Sequence, residues 1–275
     1  MVTTKLVRFA ARGGLCAAAV LALAACGSND NGYVCGYDAF GDPLFCSIPT
    51  TPSPPTQPAP VASTDTFDTA AAMTNVATQT FSYTVSGYDS SGNSYTVVYA
   101  STPGGSAGFQ AGAGTNVPAV TATVTETFSE NGSSPSVTTT TNYFDPSTYA
   151  FLGSSSNYLG GYEVVAPTPT VSPVPATATE GQSTSLFSAN LYRDSTMTVN
   201  DGTLTETFAL NADTATTALM CFDDTTSPNA SGTTDGLVSG QTSVCYRISP
   251  AGTIQGIELT QPVAGVGLVT FWQTS

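Results

Sequence analysis

The chain has 275 residues, with 19 acidic and five basic side chains, no histidine and a formal net charge of −14. A surface so short of positive charge repels phosphate backbones, which excludes nucleic acid as a partner. Without imidazole, Ser-His-Asp and Cys-His catalysis and His-ligated zinc are excluded too.

Lys5, Arg8 and Arg12 open the chain with positive charge, and Leu15 to Ala25 is an apolar run of eleven residues. A helix needs about 20 apolar residues to span a bilayer core, so residues 1–25 read as a secretory signal peptide. The run ends in Leu23-Ala24-Ala25-Cys26, which resembles the lipobox of bacterial lipoproteins. The resemblance implies cleavage before Cys26 and acyl chains, palmitate among them, on that residue. Gly27, in place of the Asp that retains lipoproteins at the inner membrane, implies the cell outer membrane, facing the periplasm, where the cell has two membranes. Each buried methylene contributes roughly 0.8 kcal/mol, so several chains on one residue make a stable anchor. After cleavage only Arg193 and Arg247 remain against all 19 acids, a net charge of −17. No lysine is left, which excludes Ser-Lys and Schiff-base chemistry.

Residues 26–64 read as a lipidated tether. Cys35 and Cys46 sit among Tyr33, Tyr37, Phe40 and Phe45 in a stretch too small for a core of its own. Six prolines fall within residues 48–60. They favour extended polyproline II, which reaches roughly 40 Å at about 3.1 Å per residue. In an oxidising compartment Cys35, Cys46, Cys221 and Cys245 suggest two disulfides. Local pairing, Cys35 with Cys46 and Cys221 with Cys245, is the expectation. If all four are paired, no thiolate nucleophile remains.

Residues 65–275 read as one antiparallel β domain. Asp65 to Met73 carries Ala70, Ala71 and Ala72 behind capping residues, which predicts one short helix near 65–73. Phe81, Tyr83 and Val85, then Tyr95, Val97 and Tyr99, alternate with polar residues about the turn-rich 87–93 and predict a hairpin. The Gly-rich segment 103–114 carries no strand in this reading, and lacks the lysine and the strand–helix frame of a phosphate loop. Strict alternation returns over Ala119–Phe128, with strands around Val137–Phe144 and Tyr162–Val165. Pro167 to Pro175 is a break. Beyond it Leu186–Arg193, Thr196–Asn200 and Thr203–Leu210 read as strands, with Asp201-Gly202 as a hairpin turn. Ala218–Phe222, Ser243–Ile248, Ile254–Leu259 and Leu268–Trp272 complete about a dozen. The fold class is therefore all-β, an antiparallel sandwich or (half-)barrel. Residues 123–131 match 203–211 at six of nine positions, which suggests duplicated halves, 65–166 and 176–275.

Glycoside hydrolysis needs only two suitably spaced acids, so carboxylates stay open as chemistry. Glu126 and Glu206 are the catalytic candidates. Alternation puts Glu126 on a face with Val124 and Phe128, and Glu206 with Leu204, Phe208 and Leu210. A carboxylate on an apolar face is raised in pKa, paired with a cation or turned to a wet cavity. The Asp201-Gly202 turn would set Met197 opposite Glu206 and leave Arg193 roughly 13 Å away along the strand. Asp223, Asp224 and Asp235 are candidate Ca²⁺ ligands, although the ordered spacing of a Ca²⁺ loop is absent. No cofactor is implied. These features predict a lipid-anchored envelope protein of non-catalytic, structural or binding role, whose protein or glycan partner the sequence does not name. A carrier of an apolar ligand and a carboxylate-dependent glycan-active enzyme are the alternatives.

Overall fold

The computed structural model describes residues 33–37, 43–46, 56–157, 161–166 and 172–273. The signal segment, Cys26, and the side chains of Cys35 and Cys46 lie outside the described residues. The chain divides between Pro55 and Thr56 into two compact units. In the first, β1 (Tyr33–Tyr37) pairs antiparallel with β2 (Pro43–Cys46).

The second unit runs α1 (Thr69–Thr78), β3 (Phe81–Tyr88), β4 (Ser94–Gly112), β5 (Thr115–Glu130), β6 (Ser136–Phe144), β7 (Phe151–Ser156) and β8 (Tyr162–Val165). It continues with β9 (Ser183–Tyr192), β10 (Asn200–Thr214), β11 (Thr217–Pro228), α2 (Ala230–Asp235), β12 (Gly240–Ile248), β13 (Ile254–Val263) and β14 (Gly267–Phe271). Strands β3 to β14 form one twelve-stranded sheet in which each strand pairs with its neighbour in the chain. The last strand then returns to the first. Ser86 and Trp272 exchange backbone hydrogen bonds of 2.9 and 3.0 Å, so the sheet curls into a nearly closed barrel. The all-β expectation holds, as a barrel rather than a sandwich, with six strands from each of the two expected halves.

Period-two alternation decides what enters the barrel. Tyr95, Val97 and Tyr99 of β4, Ala122 and Val124 of β5, Leu204, Phe208 and Leu210 of β10 and Ala218 and Met220 of β11 are all buried in one core. The alternate positions are largely threonine and serine, whose branched or small side chains suit a half-exposed pleat. Asp68 caps α1 by accepting the Ala71 amide at 2.8 Å, which starts the helix at Thr69 rather than near 65. The helix is tied to barrel loops by Asp68 N–H to the Pro250 carbonyl (2.9 Å) and Ala70 N–H to that of Ala176 (3.0 Å). Asn75 Nδ2 donates to the Gly252 carbonyl at 2.9 Å. Gly252 has φ +77° and lies so near the helix that a Cβ there would stand 2.5 Å from the Asp68 carbonyl oxygen.

Two expectations are corrected. The Gly-rich segment 103–114 is not strandless: β4 continues through it to Gly112, paired with β5 down to Thr115. This distal hairpin folds over the outer face of β6 to β8. There Phe109, fully buried, meets the rings of Tyr143 and Tyr162 at 4.8 and 5.6 Å. Glycine is needed because backbone and partners approach closely. A Cβ at Gly104 would lie 2.3 Å from Thr121 Oγ1, and one at Gly153 2.5 Å from the Phe109 ring. The second correction concerns Asp201-Gly202, which is not a hairpin turn. Residues 196–199 are not strand, and β9 turns back through 193–199, where Asp194 Oδ1 accepts the Thr196 amide at 2.9 Å. Asp201 and Gly202 lie inside β10 at a register shift, and Glu206 faces Phe187 instead of Met197. Strand β7 and helix α2 were not expected.

Gly87 sits at the seam, where a Cβ would stand 2.7 Å from the Thr270 carbonyl oxygen and 2.8 Å from Val269 Cγ1. Gly87→Ala is expected to lower stability by about 1–3 kcal/mol through overpacking. Gly240→Ala has no atom within 4 Å of the new Cβ and is expected to stay within about 0.5 kcal/mol. Paired thermal or urea unfolding checks both.

Candidate functional site

Inside the barrel lies a cavity of about 230 Å³, lined from β4 to β8, β10 to β12 and one face of α1. Its apolar wall includes Met73, Val76, Val124, Phe144, Phe151 and Phe222. Its polar wall is acidic: Glu126 of β5, Glu163 of β8, Glu206 of β10 and Asp224 of β11, with Asn142, Ser154, Tyr99 and Tyr246. All four acidic residues are partly buried.

Glu206 and Asp224 are direct cross-strand partners. Facing carboxyls on adjacent strands are costly to ionise together. Both are held well above the ordinary carboxylate range. For Glu206 the causes are burial, then the charges of Asp224 and Glu163; for Asp224, burial, then the charge of Glu163. Asp224 Oδ1 is buried with no hydrogen-bond partner among the described residues. Glu163 accepts from Ser154 Oγ at 3.1 Å, and burial pushes it up to about 7. Glu126 is raised by burial. Across the cavity the hydroxyls of Tyr99 and Tyr246 hydrogen-bond at 2.9 Å, and burial pushes Tyr246 up to about 12.

Among the described residues no basic side chain answers these acids. Arg193 pairs with Asp235 of α2, and Arg247 grips Asp213 through Nε at 2.6 Å and a second guanidinium nitrogen at 3.0 Å. Neither lines the cavity, and no other lysine, arginine or histidine follows residue 12. The site is therefore an acidic patch on aromatic walls, with both described arginines engaged elsewhere.

The structure thus brings Glu126 and Glu206 into one cavity and adds Asp224, but not its companions. Asp223 alternates to the outer face of β11, and Asp235 is held by Arg193. Among the described residues no group of acids, cysteines or histidines is arranged to hold a metal ion. Cys221 and Cys245 are cross-strand partners on β11 and β12 and form a disulfide. Trp272 lies at the seam, its ring 6.3 Å from that of Tyr88. Glu163 was not singled out from sequence: a four-residue strand shows too little alternation to assign a face. The tyrosine pair was equally hidden, because Tyr99 and Tyr246 are 147 residues apart.

No protein-family model, curated protein or solved structure matches the chain. The chemistry of the site rests on its geometry.

A carboxyl raised on folding stabilises the fold while protonated, and that contribution is lost as pH climbs through the folded value. For Glu163 the window runs from the ordinary 4.5 to about 7. The melting temperature is therefore expected to fall between pH 5 and pH 8. Glu163→Gln should flatten that slope and add about 1–2 kcal/mol at pH 8. Thermal melts across pH check both.

Proposed function

We propose that this is a lipid-anchored binding module of the cell envelope whose barrel takes a small organic cation with an apolar body. One observation carries the reading: four carboxyls converge in an aromatic cavity that contains no basic residue. An uncompensated buried charge is costly, and a ligand ammonium supplies the missing partner. The ring faces of the Phe and Tyr walls attract the same charge. The volume lies below the ~300–1,000 Å³ of sites for drug-sized ligands, which suits a compact guest. A wholly apolar ligand would leave Asp224 Oδ1 unanswered, so the acidic wall favours an amine over a lipid tail.

Titration calorimetry of the full chain with hexylamine, hexanol and hexanoate tests this. The amine is expected to bind, more tightly at pH 8 than at pH 6 as the cavity acids ionise. Equal binding of hexanol or hexanoate, or no binding of the amine, overturns the reading.

In this proposal Cys26 carries the anchor and holds the barrel at the outer membrane, with the membrane as partner. Intact mass of detergent-extracted protein should show cleavage before Cys26 and an added acyl mass. An unmodified thiol there would remove the anchor from the reading.

A further inference from the structure

The four cavity acids are not one cluster. Glu163, Glu206 and Asp224 stand on β8, β10 and β11, and the charge of Glu163 acts on both of the others. Glu126 stands on β5, separated from β10 by four strands one way round the ring and six the other. Burial alone raises Glu126, with no other described carboxyl contributing. The charges of both Glu126 and Glu206 act on the Tyr246 hydroxyl, which also lines the cavity. The wall joining the stations carries Val124 near Glu126, Phe222 near Asp224, and Phe144 and Phe151 among Thr140, Asn142 and Ser154 on the intervening strands.

A second, independent feature points to a guest at the larger station. Asp224 lines the cavity, and its Oδ1 is buried and unpartnered among the described residues. A buried acceptor without a donor is answered by an N–H group supplied from outside.

We infer that the cavity is built for a ligand with two positive ends: a linear α,ω-diamine, with one ammonium at the Glu163–Glu206–Asp224 station and the other at Glu126. This rests on the proposed function and narrows its ligand class. The methylene chain lies along Phe144 and Phe151. A monoamine fills the larger station only and leaves Glu126 unpaired. Chain length becomes a selective variable, because both ends are satisfied only when the spacer matches the gap.

The test is calorimetry on the full chain at pH 8 with straight-chain monoamines and α,ω-diamines of matched carbon number. One diamine length is expected to bind about tenfold or more tightly than its monoamine. Glu126→Gln should abolish that advantage and leave monoamine affinity within about twofold, whereas Asp224→Asn should weaken both series. Melting of Glu126→Gln at pH 8 should match or exceed that of the parent, since it replaces a buried acid with a neutral isostere, and this shows that the variant is folded. Two results overturn the inference while leaving an amine site intact: diamines no tighter than monoamines at any length, or Glu126→Gln weakening both series equally. Failure of every amine to bind removes the proposed function, and this inference falls with it.

Discussion

The first and last strands of the large sheet meet at Ser86 and Trp272, and the two backbone hydrogen bonds exchanged there give the molecule an inside. An open sheet of this length would have two faces and two unpaired edges. Drawing β14 against β3 covers both edges along the seam and makes one face concave. Every inward residue then inherits a neighbour across the ring as well as one alongside. Tyr99 and Tyr246 are such a pair, joined although three strands lie between β4 and β12. The approach is close enough that Gly87 has no room for a methyl group.

Closure also fixes the electrostatics. The barrel takes four carboxyls inside while both arginines bind acids elsewhere, Arg193 to Asp235 and Arg247 to Asp213. A fold selected only for stability would fill such a space with hydrocarbon, because ionisable groups in a low-dielectric interior cost free energy unless paired. Local choices that oppose stability concentrate where a protein acts. Here they concentrate at Glu163, Glu206 and Asp224, whose burial and unpartnered oxygen are native-state costs.

Much of this was legible in the chain, for a simple physical reason. Alternation reports the face of a strand directly, so the strands around Tyr95–Tyr99, Ala119–Phe128 and Thr203–Leu210 could be read. With them came the placing of Glu126 and Glu206 on the apolar side. Cys221 and Cys245 could be paired because they lie in one local segment. What failed depended on contacts outside the segment. Glycines at 104, 105, 108 and 112 read as a loop, yet they lie in an arm laid over Tyr143 and Tyr162, with Gly104 and Gly108 at positions of close approach. Asp201-Gly202 carries hairpin chemistry, but the buried inward set of β10 and the Asp194 turn outweighed it. Glu163 needed the register of β7 and β8 against β9, which no four-residue stretch contains.

The order of the sheet has one more consequence. Since each strand of the ladder lies beside the one synthesised just before it, pairing needs little search through distant chain. A polypeptide arriving amino end first could zip the wall together as it emerges. The ring, however, waits for Trp272, which follows every strand of the ladder. Until it arrives, the acidic lumen stays a groove open to water, and a chain cut short before Trp272 would keep most of its ladder while losing its interior.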